Sequence, residues 1–273
     1  ELLQQISKRL NQDEAKVRYL INSFMIYFTQ GKLDLAFESI IQAKDLARST
    51  DVQKLEAEIL LSLGNYYRRS DNFIEAESHY SQALIVVNND TLRARILNNL
   101  GGANSRLGKF GAAINYMHDA LEIHVRNNNL NEISNVYYSI AQANFNMQDF
   151  DMALQNYIES NRIDKELGNK NNQAYSATNI CNLYGWFEEF DKAEQKCDEA
   201  RHIFSEQNSK SAMVWLNNSI GQSYFKQKRF IELRDLMSES IDKYSKFTSP
   251  YTLQTARTLF VKALIGLKEF KEA

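Results

Sequence analysis

Four histidines, two cysteines and one Gly-Gly pair are the residues of this chain whose types could do chemistry. His79, His118, His124 and His202 could serve as bases or metal ligands, yet none has a cysteine or carboxylate at ligand spacing from a second histidine. Cys181 and Cys197 could form a disulfide or fill space as small hydrophobes, and the sequence leaves both readings open. Gly101-Gly102 would suit a phosphate loop only after a strand and ahead of Lys-Ser/Thr, and neither flank is there. We therefore assign no catalytic residue, no metal and no cofactor, and expect no enzyme in this stretch, an attached output domain aside.

The elements that carry these residues repeat. An aromatic or leucine followed three residues later by alanine recurs as Leu33/Ala36, Phe73/Ala76, Phe110/Ala113, Phe150/Ala153, Phe190/Ala193 and Phe270/Ala273, with Phe230/Leu233 as the variant. These anchors are 40, 37, 40, 40, 40 and 40 residues apart, a period that marks a repeat solenoid. Nine residues before the anchor stand Gly64, Gly101, Ala141, Cys181, Gly221 and Val261; ten before it stand Leu63, Leu100, Ile140, Ile180, Ile220 and Phe260. Offsets of −13, −10, −9 and −6 follow a helical period and predict helix A of each repeat. Offsets of +3, +7 and +10, as in Ala76, Tyr80 and Ala83, predict an antiparallel helix B. Volumes complement across the pair, with Gly221 facing the larger Leu233, while Phe24 against Ala36 predicts an irregular first unit.

Helix B of unit two and helix A of unit three lie three residues closer than elsewhere, about one missing turn. If the groove has a bend or a pocket, it is expected there, beside Arg68 and Arg95. Asp90, Ser211 and Ser249 are expected to cap A helices, and Pro250 to open one.

The fold class is all-α, a right-handed superhelical solenoid of about seven helix pairs in a single domain. The repeats run roughly over 11–50, 51–89, 90–128, 129–168, 169–208, 209–248 and an incomplete 249–273, with 1–10 as the tail of a preceding helix. Both ends thus cut through a repeat, and we expect a fragment of a larger protein. With 32 basic and 34 acidic residues, the chain lacks the basic footprint of a nucleic-acid binder. No apolar run approaches the roughly 18 residues of a membrane span, so no direct membrane insertion is expected. The compartment, cytoplasm or periplasm, and the oligomeric state stay open.

Segments such as Leu63-Gly64-Asn65-Tyr66-Tyr67 and Asp149-Phe150-Asp151-Met152-Ala153-Leu154 resemble the tetratricopeptide repeat. The longer period is similar to repeats of kinesin light chains, G-protein-signalling modulators and sensory regions of bacterial diguanylate cyclases and MalT-type regulators. That resemblance implies a concave groove lined by A helices that holds an extended peptide or a partner helix.

Offsets −12, −8 and −5 would face the groove, and the candidate binding residues there are Asn65, Arg68, Asn98, Tyr138, Gln142, Phe145, Asn182, Asn218, Gln222 and Phe225, with Arg95, at −15, a further candidate. Tyr175 and Trp215, at −15, extend the row, although Trp215 could equally pack on the next A helix. Asparagine and glutamine both donate and accept, so such a row could satisfy the main chain of any extended peptide. The opposed reading is a merely solvated polar face. A basic clamp finds only the scattered Arg18, Arg68, Arg95 and Lys262.

The expected partner is a protein or peptide, and the expected role is the sensory or regulatory region of a larger, bacterial signalling protein. The alternatives are a stand-alone assembly adaptor or the repeat part of a response-regulator phosphatase. The last needs a helical bundle ahead of the repeats, which residues 1–13 do not supply.

Overall fold

The computed structural model describes residues 2–50 and 52–268, with side chains from residue 11 onward. Phe270 and Ala273, the last expected anchor pair, lie outside the described residues. The chain divides into two compact units, residues 1–132 and 133–273.

In the first unit α1 (Leu2–Thr29) pairs with α2 (Leu33–Ser49), α3 (Glu56–Arg69) with α4 (Phe73–Val86), and α5 (Asp90–Arg106) with α6 (Phe110–Arg126). The helix α7 (Leu130–Asn146) begins in the first unit and continues into the second. There follow α8 (Phe150–Leu167), α9 (Lys170–Trp186), α10 (Phe190–Glu206), α11 (Lys210–Lys226), α12 (Phe230–Tyr244) and α13 (Pro250–Leu267). No strand occurs among the described residues, and no described helix is long and apolar enough to cross a membrane.

Every described B helix starts on its anchor residue because the turn before it is the same each time. The residue two before the anchor takes the left-handed conformation: Gly31, Asp71, Gly108, Gln148, Glu188 and Lys228 have φ of 74°, 57°, 76°, 64°, 62° and 58°. The next N–H then reaches back to a carbonyl in the last turn of helix A, at 2.9 Å in Lys32 to Tyr27, Asn72 to Tyr67 and Glu189 to Tyr184. This is the Schellman closure, which satisfies carbonyls that a helix end leaves bare.

The expected stripes are the core. Ala76, Tyr80 and Ala83 are fully buried, as are Ala113 and Ala120, with Met117 at 1%. Glycine at −9 makes the close approach possible: a Cβ on Gly101 would stand 2.7 Å from Met117 Cγ, and one on Gly221 would stand 3.0 Å from Met237 Cε and 3.1 Å from Leu233 Cδ1. In the fifth repeat the equivalent −9/+7 contact is Cys181 with Cys197, which the structure joins in a disulfide, their Cα atoms 5.4 Å apart. The two cysteines therefore fill the packing slot and cross-link it.

The missing turn is taken from the end of α4, which has 14 residues against 17 in α2, α6 and α10; Val87 after it is extended. Three expectations need correction. Residues 2–10 are not the tail of a preceding helix, because α1 runs unbroken to Thr29. Asn89, not Asp90, caps α5, its side chain accepting from the Leu92 N–H at 2.8 Å. Ser209, not Ser211, precedes α11, while Ser249 does cap α13, accepting from Thr252 N–H ahead of Pro250.

Candidate functional site

The −8 row is half-buried or exposed on each A helix: Asn65, Gln142, Asn182, Gln222 and Lys262 all keep open surface. The −12 row is mixed: Ile21, Leu61, Thr178 and Asn218 are buried, Asn98 and Tyr138 half-buried and Thr258 exposed. Thr178 is fully buried and Asn218 is 4% exposed, its amide donating to the Thr252 carbonyl on α13 at 3.0 Å. Tyr138 accepts from Asn179 Nδ2 on α9 at 3.2 Å. Asn218 is thus engaged by the next A helix and is withdrawn from the groove face, while Asn98, Tyr138 and Thr258 keep surface.

Several expected groove amides are already occupied. Asn65 Oδ1 accepts from the Tyr80 hydroxyl at 2.8 Å and from Asn99 Nδ2 at 3.0 Å, which ties α3, α4 and α5 together. Burial pushes the Tyr80 hydroxyl up to about 12, with Arg68 opposing. Burial likewise raises Tyr138 and Tyr157, which meet edge to face at 5.3 Å. Asn98 is half-buried, while Arg68, Arg95 and Gln142 are exposed. Phe145 packs against Phe150 at 5.4 Å. Trp215 packs on Tyr175 of the preceding A helix, at 5.4 Å, and Tyr175 in turn meets Phe204 edge to face.

Three expected residues do converge. Asn182, Gln222 and Phe225 line a pocket of about 520 Å³ between α9, α11 and α13, in the second unit. The same pocket brings in Trp186, Lys226, Tyr251 and Lys262. Trp186 stacks on Phe150 at 5.2 Å, and Lys226 Nζ lies 4.5 Å from the Trp186 ring centroid while donating to the Trp186 carbonyl at 2.8 Å. Lys262 Nζ lies 5.0 Å from the Phe225 centroid. These are cation–π placements, which hold an ammonium without neutralising it.

Trp186 and Lys226 sit at −4, an offset that the sequence reading missed. The signal was available, because −8 and −4 are one helical turn apart and share a face. The first unit repeats the arrangement: Arg69 and Arg106, also at −4, stand 5.0 Å over Phe28 and Phe73. Of the histidines, His124 is 1% exposed with both ring nitrogens unpartnered. No metal-binding group of three or more occurs among the described residues.

Models of the tetratricopeptide repeat match residues 55–126 and residues 134–167. A search of the curated proteins finds no match. Among solved structures the chain is similar to a Rap protein complexed with competence and sporulation factor, at 15% identity over 97% of this chain and 80% of that one, TM-score 0.68. It is also similar to aspartyl phosphate phosphatase F from Bacillus subtilis, at 11% identity over 97% and 74%, TM-score 0.68. A third is the Cut9-Hcn1 complex, at 15% identity over 96% and 45%, TM-score 0.70. At these identities the likeness is one of fold: residues 55–126 and 134–167 match tetratricopeptide repeats, and the described residues are all-α, like the helical-repeat folds they resemble.

Proposed function

We propose that the chain is a non-catalytic scaffold that captures an extended segment of a protein partner on the open faces of its A helices. The pocket between α9, α11 and α13 carries this reading, because amides, aromatics and two ammonium groups converge there from three successive repeats. Amides can pair with a peptide main chain of any sequence, and aromatic surface supplies the apolar contact. The Rap protein solved with competence and sporulation factor shares this fold, which makes a bound regulatory factor a natural use of it. Within a larger chain the role would be that of a sensory or regulatory region, as in bacterial signalling proteins with an output domain. The full-length gene separates that role from a stand-alone adaptor, since only the former carries an output domain or a membrane segment.

An array of random end-blocked nonapeptides probed with the chain tests the groove. Replacing Asn182 and Gln222 by alanine should weaken capture while leaving stability within about 0.5 kcal/mol, as for surface substitutions. Capture unaffected by both changes would place binding elsewhere.

A further inference from the structure

The three A helices around the pocket contain no acidic residue. Over the 17, 17 and 18 residues of α9, α11 and α13 there is no aspartate or glutamate, where the chain's average of 34 acids in 273 residues would put about six. The same helices carry Lys170, Lys210, Lys226, Arg257 and Lys262. The acids of this region are in the turn before α10, as Glu188 and Glu189, and on the B helices: Asp191, Glu194, Asp198, Glu199 and Glu206 on α10, and Glu232, Asp235, Glu239 and Asp242 on α12.

The cations on the two faces are also treated differently. On and beside the B helices they meet carboxylates, as Lys196 does Glu199 at 2.7 Å, Arg229 Glu232 at 3.0 Å and Lys243 Glu239 at 2.7 Å. Lys226 and Lys262 meet no carboxylate among the described residues and are held over Trp186 and Phe225. An ammonium has three N–H donors, and Lys226 uses one on the Trp186 carbonyl. Among the described residues, both therefore stand in the pocket with no carboxylate on their charge, Lys226 with one donor used, next to exposed aromatic surface on Trp186, Phe225 and Tyr251.

We infer that the occupant of this pocket is an acidic peptide segment, with carboxylate side chains directed to Lys226 and Lys262 and an apolar side chain on the aromatic surface. The inference rests on the proposed peptide-capture function and narrows it to one class of partner. Like-charged segments would be repelled by the same two lysines, so the selection works against basic partners as well as for acidic ones.

The peptide array decides this when its bound spots are scored for composition. Because every peptide is end-blocked, any enrichment reports side chains and not a terminal carboxylate. At low salt, peptides carrying two Asp or Glu should be bound about fivefold more strongly than those with none, the size expected of two solvent-accessible ion pairs, which enriches the bound set in acids. Enrichment should shrink when the salt is raised, because exposed pairs are screened. It should vanish in the Lys226→Gln/Lys262→Gln double variant, whose fold circular dichroism checks. Binding without acidic enrichment overturns the inference and leaves the capture reading standing. Enrichment that survives the double variant also overturns it, by placing the acid-selective surface elsewhere. No capture by the chain at all removes both.

Discussion

A Cβ added to Gly64 would stand 2.5 Å from Tyr80 Cδ1, inside a ring that is fully buried and held by its hydroxyl on Asn65. The ring has nowhere to go, so Gly64→Ala should destabilise the chain by about 1–3 kcal/mol through overpacking. Gly102 lies on the open face of its helix with nothing within 4 Å of a Cβ, so Gly102→Ala should instead stabilise by about 0.5–1 kcal/mol. Denaturant melts of the two variants check both signs, and equal effects would undo the assignment of packed and open faces. At this scale the apolar positions were legible and the amides were not. Gly64 and Tyr80 disclose their pairing by volume and spacing alone. Asn65, Asn179 and Asn218 carry the same functional group whether they meet a peptide or a neighbouring helix, and only their measured partners assign them to the second.

Helix positions were read closely because each anchor fixes a turn, and the left-handed residue two before it closes the preceding helix in every described repeat. Caps were read a residue or two off, since Asn89 and Asp90, or Ser209 and Ser211, are equally good capping types in sequence. The open positions were half legible: the −8 row keeps surface, the −12 row is mixed, with Thr178 and Asn218 buried and Thr258 exposed, and −4 adds Trp186 and Lys226 to the pocket. One element carries a pH dependence. His124 lies in the last turn of α6, where burial lowers its affinity for a proton, Glu132 opposing and Arg95 reinforcing. Burial lowers His79 in the same direction, Lys44 reinforcing. The unfolded chain then binds more protons than the folded one below the ordinary histidine range, so stability is complete above it and falls on acidification from about pH 7 toward pH 5. Hydrogen exchange should report fraying at the end of α6 in that window, and His124→Phe should reduce the loss; a flat profile would mean that His124 is solvated.

Across the whole molecule, residues 1–132 and 133–273 each hold their own buried clusters, as expected where repeats contact chiefly their neighbours. The single period named this architecture from sequence. The charge segregation in the second unit was equally written there, as an absence of acids along three helices, but it acquires meaning only once those helices are seen to surround one pocket. The disulfide has a different kind of consequence, a mechanical one. A solenoid under tension yields by paying out its helix pairs, and the bond between Cys181 and Cys197 keeps a loop of sequence separation 16 out of the thread. In single-molecule pulling, a reducing buffer should therefore lengthen the fully stretched chain by about 50 Å, at roughly 3.5 Å per residue. Equal contour lengths with and without reductant would refute the cross-link. If they differ, the fifth repeat is the one stretch of this chain that cannot be drawn out completely until an electron donor reaches it.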